Sequence, residues 1–187
     1  SLGCISLIYL SDHPLIPPDG SDTLKMASII AEEGCISYYK SCEPTNTDLG
    51  PFYPLLSALF YKYTISPIKN LVYFQTFTHI ICCFLFTSYL NRNYRISAHH
   101  SLLILAFSLL NPLSIGWQRY ILPDTFSLDI SLIVLILIDS YRIKKNYLYL
   151  CLGAIFISIG SLVRYDIYIL LVPLFSIFLI NNYTEVI

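Results

Sequence analysis

From about residue 68 onward the chain alternates long apolar runs with brief polar connections. A hydrocarbon core about 30 Å thick is crossed by roughly 20 apolar helical residues. The runs therefore predict spans at Leu71–Leu90, Leu102–Trp117, Ile121–Ile138, Tyr147–Val163 and Ile167–Ile180. The opening stretch SLGCISLIYL reads as the end of a first span over residues 1–10. Residues 11–67 are different: polar, and rich in Pro, Asp, Ser and Thr up to Pro51. Within them, DTLKMASIIAEEG carries apolar and small residues at helical spacing. It predicts a short amphipathic helix, with Ser21 or Asp22 as N-cap and Gly34 as C-cap. PFYPLLSALFYKYTIS is apolar but too short to cross comfortably. It predicts an interfacial helix with Tyr53, Tyr61 and Tyr63 near headgroups.

These elements add up to an all-α polytopic membrane protein in a single transmembrane domain, 1–187, with about five to six transmembrane helices. Residues 11–67 form an extracytoplasmic loop with interfacial helices, and residues 68–187 form the helical bundle. Composition agrees. Hydrophobic residues make up 56% and charged residues only 12%, about half the share of a soluble domain. A net charge of −1 without a basic run argues against a nucleic-acid partner. The first residue is Ser, and both ends read as cut, so a piece of a longer protein is expected. No signal peptide is recognisable. Cys82, Cys83 and Cys151 lie in apolar runs and read as buried small hydrophobes. Cys35 and Cys42 share a polar loop and can pair if that loop is extracytoplasmic. No cysteine spacing suggests zinc.

Charge fixes the orientation. Arg92 and Arg95 fall in one connection, and Arg142, Lys144 and Lys145 in another two spans later. The positive-inside rule makes that side cytoplasmic. WQRYILPD and LVRYDI then face outward, and with them Arg119, Asp124, Arg164 and Asp166. Asp19 and Asp22 join them if the segment after Pro51 does not span. Trp117, Tyr120, Tyr165 and Tyr168 surround these charges. Carboxylates serve as general bases, arginines clamp phosphates, and aromatic faces suit sugars or isoprenoid chains. A substrate with a lipid tail and a phosphate-bearing head fits such a site. The plainer reading is that these are solvated span ends, with Arg164 paired to Asp166 and Asp124 capping its span. Asp129 lies inside a span and is expected to face the bundle, as partner of an outer arginine or as a protonated core acid. Asp139 reads as solvated at the cytoplasmic end. Gln75 and His79 share a helix face and read as helix-to-helix contacts, as do Gly153 and Gly160. The sequon at Asn182 falls on the cytoplasmic side.

The order of these pieces resembles the membrane glycosyltransferases of the GT-C superfamily. The likeness is to the group of dolichyl-phosphate-mannose protein mannosyltransferases and lipid A aminoarabinose transferases. SDTLKMASIIAEEG matches their acidic first-loop motif, and GPFYPLLSALFYKY matches the block after it. ILPDTFSL matches a later outward turn, and SLVRYDIYILLVPL matches an Arg-containing turn. Many relatives carry Glu after the motif Asp, where this chain has Thr23. The resemblance implies inverting transfer of a sugar from a polyprenyl-phosphate donor to a lipid, glycan or protein acceptor on the outer or lumenal face. It implies Asp22 as the general base, Arg164 and Arg119 near the donor phosphate, and Asp124 shaping the site. Asp166 would border the substrate, with Tyr53 beside it. No acidic cluster calls for a divalent ion, so neither metal nor cofactor is expected. The expected location is a bacterial plasma membrane or an endoplasmic reticulum membrane. Two other functions use the same charges without chemistry: a transporter or flippase for lipid-linked sugars, and an assembly subunit.

Overall fold

A computed structural model describes residues 16–37, 50–110 and 121–183. Among the described residues all regular structure is helical. The expected first span at residues 1–10, and the end of the one expected to reach Trp117, lie outside the described residues.

Helix α1, Pro18–Glu33, begins earlier than the sequence suggested. Pro18 at the first helical position has its φ preset, and Asp19 complements the positive helix end. Ser21 and Asp22 are therefore inside the helix and not at its cap. Ser21 Oγ instead donates to Pro18 O at 2.6 Å. The far end does stop at Gly34, which takes the left-handed conformation (φ 74°) and donates its N–H to Ile30 O. The buried face of α1, which includes Thr23, Leu24 and Ala27, packs on α2, Phe52–Tyr63. At 12 residues α2 is about 18 Å long, short of a bilayer core. It ends at Tyr63, with Thr64 extended, ahead of Pro67, which has no N–H to continue the helix.

Helix α3, Pro67–Tyr94, has 28 residues and is long and apolar enough to cross a membrane. Its buried positions (Leu71, Val72, Gln75, Thr76, His79, Cys82, Cys83 and Thr87) recur every three to four residues and so form one stripe. Helix α4, Ala98–Leu110, buries none of its residues. Helix α5, Asp124–Lys144, has 21 residues but carries Asp124, Asp129, Asp139 and Arg142, so among the described residues only α3, of the five spans expected, is both long and apolar enough to cross. It is the centre of the fold, packing against α3, against α6 (Tyr147–Ser161) and against α7 (Leu171–Tyr183). A 3₁₀ turn, Tyr165–Leu170, leads into α7. The core runs along α5 through Phe126, Ile130, Val134 and Ile138, met by Leu71 and Val72 from α3 and by Ile157 and Ile167. Gly160 packs directly on Ile130 and Ile167, and Gly153 meets Leu174.

Two close backbone approaches fix where α1 and α2 sit. A Cβ at Gly20 would stand 2.6 Å from Ile121 O, and a Cβ at Gly50 would collide with Leu162 O. Phe52 N–H also donates to Leu162 O at 3.0 Å. Glycine at these two positions lets the polar N-terminal region seat on the turn before α5 and the turn after α6. Outside the core, Phe74, Phe77, Ile81, Phe84, Leu102, Leu103, Phe107, Val172 and Phe175 are exposed.

Candidate functional site

Docking of α1 onto those two turns encloses a cavity of about 440 Å³. Its walls are Asp19 from α1, Leu122, Pro123 and Asp124 at the start of α5, and Val163, Arg164 and Tyr165 after α6. Arg164 is held from both sides. Its Nη1 donates to Asp124 Oδ1, and its Nε lies 3.2 Å from Asp166 Oδ2. Asp124 thus pairs across to Arg164 and makes no side-chain cap on its own helix. A guanidinium has five N–H donors, so two carboxylates do not exhaust it. The arginine side chain is about one-third exposed and Asp166 about half, so water reaches the pair.

Of the residues singled out in the sequence, Asp124 and Arg164 line the cavity and Asp166 touches it through Arg164. Asp22 lies one turn beyond Asp19 on α1 and is exposed. The carboxylate of α1 that forms the wall is Asp19, which the sequence placed on the outer face without a role. Arg119, Trp117 and Tyr120 lie outside the described residues. Tyr53 is not at an interface with headgroups: only 1% of it is accessible. Its hydroxyl donates to Gln75 Oε1 at 3.0 Å, and Gln75 Nε2 lies 3.4 Å from Leu122 O in the cavity wall. Tyr53 therefore braces the site from behind. Burial, and next the charge of Asp124, push its phenol well above the ordinary range.

A second polar group is closed to water. His79 Nδ1 and Asp129 Oδ1 are 2.7 Å apart, joining α3 to α5 with both side chains almost wholly buried. Cys83 Sγ stands 3.5 Å from His79 Nε2. Asp129 thus meets a histidine and not an outer arginine. Its Oδ2 finds no hydrogen-bond partner among the described residues. The sequence held a trace of the polar face on α3, though not of its partner: Gln75, His79 and Cys83 recur every four residues.

At the opposite end of α5, Asp139 is bound and not merely solvated. It accepts from Tyr89 (2.9 Å), Tyr94 (2.5 Å) and Arg142 Nε (2.8 Å). Burial alone would raise its carboxyl, but these hydrogen bonds and the Arg142 charge hold it below its ordinary value. Cys82 and Cys83 are buried, whereas Cys151 is exposed on α6, against expectation. Its place between exposed Leu148 and Ile155 puts it on an apolar outer face. Cys35 is disulfide-bonded, and its expected partner Cys42 lies outside the described residues, as does the Asn182 side chain. Among the described residues no three His, Cys, Asp or Glu side chains converge as a metal site.

Comparison with family models, with curated proteins and with solved structures returns no match for this chain.

Proposed function

We propose that the chain is the membrane-embedded part of a glycosyltransferase that uses a polyprenyl-phosphate sugar, with the outer cavity as its reaction site. The observation that carries this reading is the meeting of Asp19, Asp124 and Arg164 around one cavity. It brings carboxylates from α1 and α5 to a cation on the turn after α6. A multi-pass arrangement is part of the proposal. It is supported by the length of α3 and by the apolar side chains left exposed on α3, α4 and α7, which lipid would cover. In this arrangement the cavity opens at the outer surface, where a lipid-linked head can enter from the bilayer.

The chemistry needs a base, a leaving group and a cation. A carboxylate of α1 takes the proton of the acceptor hydroxyl as its oxygen attacks the anomeric carbon. The bond from that carbon to the phosphate oxygen breaks, and the phosphate leaves with the electron pair. Arg164 offsets the charge that develops on it. The resemblance names Asp22 as the base, while the cavity wall offers Asp19 one turn earlier. Comparing Asp19→Asn with Asp22→Asn assigns it.

A second reading, a transporter for lipid-linked sugars, draws on the His79–Asp129 pair, since ionisable groups deep in a span often line transport paths. One experiment separates the two. The full-length protein is placed in membranes with a panel of polyprenyl-phosphate sugars and acceptor-rich lysate. Release of free polyprenyl phosphate supports the transferase. Movement of intact donor between leaflets, without release, supports the transporter.

A further inference from the structure

The inner end of the bundle has a built basic surface that the proposed reaction does not use. Between residues 88 and 100, and between 139 and 149, the chain carries Arg92, Arg95, Arg142, Lys144 and Lys145 against the single carboxylate Asp139. That carboxylate is already committed. Tyr89, Tyr94 and Arg142 all donate to it, and Arg142 Nη2 also donates to the Tyr94 hydroxyl at 2.7 Å. The network clamps the end of α3 to the end of α5.

Its consequence is geometric. α3 ends at Arg95 and α5 ends at Lys145, both in the left-handed conformation (φ 51° and 55°). Two basic turns are thereby fixed side by side. Arg92, Arg95, Lys144 and Lys145 are all exposed, and exposed Tyr94, Ile143, Tyr147 and Leu148 stand among them. The carbonyl ends of both helices also face this side, where cations are favoured. Basic side chains interleaved with apolar and aromatic ones suit the boundary between headgroups and acyl chains.

We infer that the turns at 91–95 and 142–147 form a platform for the anionic headgroups of the inner leaflet, and that the Tyr94–Asp139–Arg142 clamp sets its geometry. The inference rests on the multi-pass arrangement proposed above. Full-length protein is expressed in membranes of phosphatidylcholine with a minority of phosphatidylglycerol and excised with its lipid shell by an amphipathic copolymer. Retained lipid is then counted by mass spectrometry. Wild type is expected to hold phosphatidylglycerol at about fivefold or more over the bulk membrane, the effect of roughly one basic side chain at a charged surface. The paired variants Arg92→Gln with Arg95→Gln, and Lys144→Gln with Lys145→Gln, each lose most of that enrichment. Tyr94→Phe with Tyr89→Phe keeps every charge but removes both hydroxyls that α3 gives to Asp139, and is expected to lower the enrichment partway. Retained lipid matching the bulk in wild type, or enrichment untouched by both pairs, overturns the platform while leaving the spanning reading intact. Recovery of the protein outside the membrane fraction overturns both.

Discussion

Two side-chain pairs tie α5 to its neighbours through Asp124 and Asp129, and they behave as opposites. Asp124 meets Arg164 at the rim of the cavity, where both side chains reach water. Asp129 meets His79 about one and a half turns deeper, where neither does. Water at the first pair screens the attraction and lets a ligand's charge compete for the guanidinium. Its absence at the second means that either group alone would be stranded. One helix thus carries an exchangeable pair at the site and a fixed pair beneath it.

The sharpest way to break this contrast is to delete one side of each pair. His79→Leu strands Asp129 and is expected to cost about 3–5 kcal/mol of stability, read as the unfolding of purified full-length protein. His79→Leu with Asp129→Leu is expected to recover most of that loss, because an apolar pair replaces a buried polar one. A double variant as unstable as the single one would contradict the fixed-pair reading. Arg164→Gln should do the reverse. It is expected to shift stability by no more than about 1 kcal/mol and, on the proposed function, to slow sugar transfer by about 10²- to 10³-fold through loss of the proposed phosphate donor. Equal effects of the two deletions on stability would erase the distinction.

Tyr53→Phe sharpens the comparison on a smaller scale. It removes the hydroxyl that bonds Gln75, whose own contact to Leu122 O is then held less firmly. A loss of about 1 kcal/mol is expected by thermal unfolding. The smallest effect concerns pH. Asp139 is held below its ordinary value, so its contribution is present above the unfolded carboxyl pKa and is lost as pH falls through the folded one. Wild type is therefore expected to lose a little stability below about pH 4 that an Asp139→Asn variant does not.

The parts of this design that could be read from the sequence are those encoded locally. The Gly34 stop of α1, the shortness of α2 and the inward face of Asp129 follow from spacing and composition. What could not be read is pairing between distant segments. Nothing local says that Asp129 meets His79 fifty residues earlier. Nor does Tyr53 look different from Tyr63, yet one is buried on Gln75 and the other exposed. The choice between Asp19 and Asp22 is of the same kind. Both are acidic residues near a helix start, and the approach of Gly20 to Ile121 O turns the first into the cavity. The start of α1 is not legible because Ser21 and Asp22 are good caps, and Pro18 overrides them.

The most direct test is the rate of polyprenyl-phosphate release by the full-length protein, wild type against Asp22→Asn and Asp19→Asn, with His79→Leu with Asp129→Leu as a folded control. The account expects one α1 substitution to lower release by about 10²- to 10⁴-fold while the control stays near wild type. Release indifferent to both α1 carboxylates, or lost only in the buried-pair control, would contradict it.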